Sequence, residues 1–245
     1  VTKFPWVGLP RILVLNTQLA PTDDVNVRKA VSLAIDRQAL VDTVFAGIGE
    51  IAIGMLTKVM LDDPSLSQPY DPEQAKQLLE EAGWTGGDGD VREKDGAALE
   101  FILNVVDTGG GAPPEAQFIQ ANLLDVGFDC QIKAQARAPW YEDNYNLATH
   151  GPLMFLRSGD YDGLYSMFHS SLIGSNFNFA GLDDPDIDAM LEQGRIETDP
   201  AARRELYLEL CQILADMAVA APLVDEYSVW AGASNVQGLQ FNGYT

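Results

Sequence analysis

Residues 23–47, DDVNVRKAVSLAIDRQALVDTVFAG, constrain the fold more than any other stretch. Apolar side chains fall at Val27, Ala30, Val31, Ala34, Ile35, Val41, Val44 and Phe45. Steps of three and four put them on one face of a helix, with Arg28, Lys29, Arg37, Gln38 and Asp42 largely opposite. Asp23, Asp24 or Asn26 can cap the start, and Gly47 can take the left-handed conformation that ends it. The pattern predicts one long helix, Val25–Ala46, packed on a core.

The remaining elements follow in order. Ile12–Asn16 (ILVLN) predicts a strand buried on both faces. Residues 48–70 carry prolines and little pattern, and read as a loop. In YDPEQAKQLLEEAGW, Asp71 is an N-cap, Pro72 takes the first helical position, and Gln74 completes a capping box. Ala75, Leu78, Leu79 and Ala82 form the apolar stripe, and Gly83 stops the helix. The same Asp-Pro opening recurs at Asp184-Pro185 and Asp199-Pro200. Gly86–Gly96 predicts a turn region with a hairpin at Asp95-Gly96.

Leu99–Val106, helix Glu115–Val126 and the alternating Phe128–Ala134 predict a parallel strand–helix–strand unit. Trp140–Asn146 predicts a short helix and Gly151–Leu156 a strand. Arg157–Ala180 is a loop dense in Tyr, Phe, Ser and Asn, and loops carry sites. Helices follow at Asp184–Arg195 and Asp199–Met217, the latter burying Leu206, Leu210, Ile213, Leu214 and Met217. Ala221–Ala231 and Val236–Phe241 close the chain as strands.

A chain of 245 residues with 47% hydrophobic and 21% charged residues can bury a substantial core. Its net charge of −21 disfavours nucleic acid, because phosphate binding relies on clustered Lys and Arg. No apolar run reaches the length of a membrane span. No signal peptide opens the chain, which fits a cytoplasmic protein or a processed piece of a longer one. Cys130 and Cys211, far apart in sequence, are either two buried thiols or one disulfide; a domain of this size needs no staple, which favours the thiols.

Enzyme chemistry finds little purchase. Neither His150 nor His169 belongs to a zinc motif, and no nucleophile elbow or phosphate-binding glycine loop is present. Among 36 acids, pairs of carboxylates carry almost no information about a hydrolase of the glycosidase type. Asp88, Asp90 and Asp95 do not have calcium-loop spacing, because Arg92 and Leu99 fall where ligands are needed. A ligand-free interaction module would need an exposed stripe or a repeat, and neither is visible.

The wording of several stretches is more specific than their periodicity. VRKAVSLAIDRQALV, YDPEQAKQLLEEAGW, VREKDGAALEF, IQANLLDVGFDCQI, DPAARRELYLELCQILADMAVAAPL and NVQGLQFN occur in this order over nearly the whole chain. Together they resemble the extracellular solute-binding proteins of family 5, the oligopeptide-, dipeptide- and nickel-binding components of ABC importers. The resemblance covers the carboxy-terminal part of that family only.

It implies an α/β fold: one type II periplasmic-binding-protein-like lobe, with a mixed sheet covered by helices. Residues 1–245 are then the carboxy-terminal lobe, with both ends near the crossover to an amino-terminal lobe that is absent here. The implied function is capture of a peptide or similar small solute between two lobes and delivery to ABC permease subunits, without enzymatic activity or cofactor. The implied parent is exported, either periplasmic or anchored as a lipoprotein to the outer face of the membrane.

In peptide-binding members an aspartate in a segment like FLRSGDYDGLYSMF holds the ligand's α-ammonium, and the match falls on Asp160, followed by Tyr161. Two departures stand out: Arg157 replaces an aromatic residue and Gly163 a proline. Arg157 is positioned in sequence to neutralise Asp160. Tyr165, Phe168, Asn176 and Phe177 are further candidates for lining the cleft.

Overall fold

A computed structural model describes residues 2–86 and 91–232. Asp88, Asp90 and the expected strand Val236–Phe241 lie outside the described residues.

The chain begins with strands β1 (Thr2–Pro5) and β2 (Gly8–Val14), then helices α1 (Val25–Ala34) and α2 (Arg37–Thr43). Next come β3 (Glu50–Ile51), α3 (Pro72–Glu81), β4 (Thr85–Gly86), β5 (Arg92–Lys94), β6 (Ala97–Ala98) and β7 (Glu100–Val106). Helix α4 (Pro114–Asp125), β8 (Asp129–Gln135), α5 (Arg137–Tyr145) and β9 (Gly151–Arg157) follow. The last elements are α6 (Gly163–Phe168), α7 (Pro185–Ile196), α8 (Pro200–Asp216), β10 (Ala220–Asp225) and β11 (Tyr227–Trp230).

The central sheet has six strands in the order β3-β10-β2-β9-β7-β8. β7 pairs in parallel with β8 from Glu100↔Asp129 to Val106↔Gln135, as the strand–helix–strand pattern predicts. β9 joins β7 in parallel, whereas β2 runs antiparallel to both β9 and β10. The sheet is therefore mixed.

Strand periodicity explains the layers. Leu13 and Leu15 point into one apolar cluster with α1–α4, and Ile12 and Val14 into the other, with α5–α8. A strand buried on both faces needs apolar residues at consecutive positions, and ILVL supplies them. Cys130 belongs to the first cluster and Cys211 to the second. Both are free, and burial pushes each thiol up to about 12.

The Asp-Pro openings form as expected. Asp71, Asp184 and Asp199 each accept from backbone N–H groups of the following turn. The capping box at Asp71 is only half made: its carboxylate accepts from Gln74 N at 2.9 Å, but its own N–H donates to Leu33 O instead. The hairpin at Asp95-Gly96 forms between β5 and β6 with both residues at positive φ. In α8 the buried stripe is Tyr207, Leu210, Cys211 and Leu214, while Leu206, Ile213 and Met217 are half-buried. The helix packs one step round from the stripe expected.

The long opening helix is two helices. The chain is extended at Ile35 and Asp36, and Asp36 caps α2 by accepting from Ala39 N at 2.9 Å. The Asp36 N–H donates to Asn122 Oδ1 on α4. Two cations expected on the polar face are buried: Arg28 is 6% exposed and Arg37 is 3% exposed. Arg28 donates to the carbonyls of Thr22, Asp23 and Met217. Arg37 folds back on the break, donating to Ser32 O and Ile35 O, the carbonyls that the interrupted helix leaves free. It also reaches Pro222 O on β10, the Ser32 hydroxyl and Gln68 Oε1. Burial lowers the Arg37 guanidinium to about 10.

The first and last described strands come together. β10 lies beside β2, with Ala220↔Val14 through Val224↔Arg11, and β1 and β11 form a separate two-stranded ribbon. Asp225 sits at the last position of β10, 6% exposed, accepting from Lys58 N while its Oδ1 has no hydrogen-bond partner. Desolvation raises it from 3.8 to about 6, against the pull of the Lys58 contacts and with Glu50 and Asp62 also raising it.

Its folded pKa exceeds its unfolded one, so stability is lost as pH rises through about 6 and recovered in full only below 3.8. Two pKa units correspond to about 3 kcal/mol. Asp225→Asn is accordingly expected to gain stability relative to the parent chain between pH 4 and pH 7.5, by up to ~3 kcal/mol. Urea midpoints at both pH values measure this, and an equal offset at the two would mean that ionised Asp225 carries no burial penalty.

Candidate solute-binding site

The parallel strands end together. In open α/β sheets, the crevice outside the carboxyl ends of such strands is where ligands bind. Here a cavity of about 490 Å³ opens at that position. Val105 and Val106 of β7 and Leu153–Arg157 of β9 form its floor, and α5 supplies Arg137, Trp140 and Tyr141. Pro113 and Glu115 come from the start of α4, Arg11 from β2, and Phe177 from the loop before α7. The β7–α4 turn is held by Asp107, whose Oδ1 accepts from the N–H groups of Gly109, Gly110 and Gly111. Those bonds to the charged form lower the Asp107 pKa.

One wall of the cavity is aromatic and fixed. Trp140 is 4% exposed, donates to Asn104 O at 3.2 Å and meets Phe179 edge-on. Tyr141 packs against Tyr145 and Phe177. The other wall carries Arg11 and Arg157. Arg11 is neutralised by Glu115 at 3.0 Å and by Glu226. The Arg157 guanidinium lies 3.7 Å from the centroid of the Trp6 ring, and Trp6 is itself tied to the Ser228 hydroxyl. A second hollow of about 530 Å³ lies between Lys76, Glu80, Arg92 and Gly127. It has no aromatic lining and is remote from the strand ends.

Of the residues singled out in the sequence, Arg157 and Phe177 line the cavity. Asp160 does not pair with Arg157. It accepts from both terminal nitrogens of Arg203 on α8, at 2.9 and 2.6 Å, and from Asp162 N. The Arg203 hydrogen bonds hold the Asp160 carboxyl below its usual range. Tyr161 packs against Tyr207 and donates to Met60 O, and Tyr165 lies between His169 and Arg195. Phe168 is fully buried in the second apolar cluster. Asn176 is half-buried in the turn after Leu172.

Arg11, Glu115, Arg137, Trp140 and Tyr141 were missed. The signal available for the last two was the aromatic helix expected at Trp140–Asn146, sited just after a parallel strand. Among the described residues, no group of three or more His, Cys, Asp or Glu side chains could hold a metal ion, and no helix is long and apolar enough to cross a membrane.

Comparison with known proteins now adds the family. Residues 5–179 match the model described as bacterial extracellular solute-binding proteins, family 5 Middle. The nickel-binding periplasmic protein of Escherichia coli is 30% identical over 219 residues, 86% of this chain and 42% of that protein. NikA from Brucella suis, solved with Fe(III)-EDTA, is 28% identical with a TM-score of 0.77, over 92% of this chain and 47% of that one. The oligopeptide-binding protein AppA from Bacillus subtilis, solved with a nonapeptide, superposes with a TM-score of 0.84 at 22% identity, over 99% of this chain and 50% of that one. The chain belongs to the family 5 extracellular solute-binding proteins, and its fold is that of the type II periplasmic binding proteins. It spans about half the length of the relatives it matches or less. Members of this family are solute-binding proteins rather than enzymes.

Proposed function

We propose that residues 1–245 are the carboxy-terminal lobe of a two-lobed binding component of an ABC importer. The parent captures a peptide or similar small solute in the cleft at the β7 and β9 ends and hands it to the permease. It works outside the cytoplasmic membrane, free in the periplasm or anchored to the membrane's outer face, and catalyses no reaction. The observation that carries this reading is the family match over residues 5–179 together with a cavity at the carboxyl ends of the parallel strands. The first and last described strands, β1 and β11, pair in one ribbon, which suits a lobe connected to a second one by two adjacent strands.

Purifying the full-length parent under mild conditions and identifying the co-purified small molecule by mass spectrometry tests this. A stoichiometric peptide, metal chelate or other small solute is expected. A parent that carries nothing and gains no thermal stability from peptide libraries or metal chelates would overturn the reading.

Asp160 remains the proposed ammonium contact. Its side chain is 51% exposed, so an ammonium can approach, but Arg203 already satisfies both of its oxygens. Asp160→Ala in the parent is therefore expected to cost less than ~1 kcal/mol of stability, as for other partly exposed pairs. Calorimetry with a free peptide and its N-acetylated form separates the roles. Equal loss for both, or none, assigns Asp160 to holding α8 in place.

A further inference from the structure

The carboxyl end of β10 holds an unsatisfied buried carboxyl oxygen. Six buried side-chain N or O atoms have no hydrogen-bond partner among the described residues, and two of them, Thr57 Oγ1 and Asp225 Oδ1, belong to residues that line one hollow. Thr57 is 2% exposed and Asp225 6%, too buried for bulk water to satisfy either. A polar atom in that state carries a desolvation cost that a bound group would remove. The hollow, about 270 Å³, lies between Trp6, Glu50 of β3, the turn Thr57–Asp62, Asp225 and Tyr227 of β11. It shares no lining residue with the cavity at the β7 and β9 ends.

The charges of the hollow do not balance. Asp225, Glu50 and Asp62 face one cation, Lys58. The Lys58 ammonium is taken by Glu50 at 3.1 Å, and the Lys58 backbone N–H donates to the other Asp225 oxygen, Oδ2, at 2.9 Å. The Tyr227 hydroxyl donates to Glu50, and Trp6 gives its indole N–H to Ser228. What is left over is oxygen: Asp225 Oδ1 and Thr57 Oγ1, with the exposed Asp62 adding negative charge.

Oxygen ligands under excess negative charge select a hard cation. Among the described residues no group of three or more His, Cys, Asp or Glu side chains could hold a metal ion, so a carboxylate-rich divalent site is not built here. Two protein oxygens and one uncompensated charge suit a compact monovalent ion that keeps part of its water shell. A neutral water would pair with the Thr57 hydroxyl and leave the Asp225 charge unanswered.

We propose that this hollow binds a compact monovalent cation, sodium, potassium or ammonium, through Asp225 Oδ1 and Thr57 Oγ1. The ion joins the Thr57–Asp62 turn to the last residue of β10, where the chain passes into the β1–β11 ribbon. Asp225 binds it as the carboxylate. Desolvation first, then Glu50 and Asp62, raise Asp225 to about 6 against the pull of Lys58, so the site forms above that pH and is lost at pH 4. Tyr227, pushed up to about 12 chiefly by its bond to Glu50, stays neutral throughout. The site is independent of the solute-binding reading, which its success or failure leaves untouched.

Thermal unfolding of the 245-residue chain at pH 7.5 in sodium, potassium, ammonium or choline chloride, at one ionic strength, tests the site. Choline screens surface charge equally, but its methyl groups keep oxygen ligands away. At least one compact ion is expected to raise the melting temperature by about 5–10 °C over choline, as for a Kd of ~1 mM at about 100 mM cation. The largest rise names the ion. Sodium-23 relaxation reads the bound ion directly, as line broadening that saturates and that the preferred cation displaces. Asp225→Asn is expected to abolish both effects and Thr57→Val to weaken the affinity about tenfold. Glu81→Gln, at an exposed acid on α3, should change neither. At pH 4 the difference between salts should vanish.

Equal melting temperatures in all four salts at pH 7.5 overturn the site and leave the hollow to water. A cation difference that survives in Asp225→Asn, or that persists at pH 4, overturns it too. Removing the Asp225 charge is expected to gain stability, so loss of the effect in that variant is not loss of structure, and Thr57→Val checks the same ion from the other side.

Discussion

The two-lobed parent proposed above is expected to bind its solute about a thousandfold more tightly than this chain alone. A closed cleft buries most of a ligand's surface, roughly 70–90%. One lobe offers a single wall, and the groups on that wall stay wet: Arg137 and Arg157 are both exposed here. Solvent screens an exposed ion pair down to ~1 kcal/mol or less. A parent with a Kd of about 1 µM has about −8 kcal/mol of binding free energy, and half of that leaves a Kd of about 1 mM. Calorimetry on the parent and NMR titration of the chain give the two constants. Equal affinities would mean that the cavity at the β7 and β9 ends is a complete site and that no second wall closes over it.

Replacing Arg37 by methionine is expected to cost about 3–5 kcal/mol, because several buried acceptors lose their donor at about 1–3 kcal/mol each. The stem still packs, but the carbonyls of Ser32, Ile35 and Pro222 lose their donor where water does not reach. At ~2–4 °C per kcal/mol for a domain of this size, the melting temperature should fall by about 10 °C. Arg37→Lys should recover little, because one ammonium cannot span acceptors on α1 and β10 at once. Arg204→Met is the comparison: its pair with the adjacent Glu205 is at the surface, and the change should stay within ~0.5 kcal/mol. Thermal unfolding followed by circular dichroism reads all of these. A loss below ~1 kcal/mol at Arg37 would show that the break between α1 and α2 is held by Asp36 and the surrounding apolar contacts alone.

Helix starts were legible because their chemistry is local: Asp71, Asp184 and Asp199 bond N–H groups two or three residues on, so Asp-Pro states both the cap and the first helical turn. The Asp95-Gly96 hairpin and the doubly buried ILVL strand are equally local, since turn chemistry and side-chain period are written residue by residue. The family was legible because its motifs keep their order along the chain, and with the family came the fold class.

The opening helix was misread for a reason that periodicity cannot reveal. Residues 25–45 keep helical spacing across the break, and the extended Ile35-Asp36 step is held by Asn122 on α4. Arg28 and Arg37 look like solvent-facing cations, because Lys and Arg are almost never fully buried without a partner. Their partners are backbone carbonyls, and Met217 and Pro222 lie 189 and 185 residues away. The same holds at the site. Asp160 was legible by resemblance, but its engagement with Arg203, 43 residues on, was not.

The sequence by itself determined the caps, the turns, the strand faces and the kinship, all set by residues near one another or by their order. The tertiary structure alone decided which cations are buried and which face the cavity. Arg11, Glu115, Arg137, Tyr141, Arg157 and Phe177 come from separate elements, and only the pairing of β2 and β7 with β9 brings them to one place. Side-chain spacing records which way a residue points from its own backbone, whereas a pocket depends on where distant backbones are set beside one another.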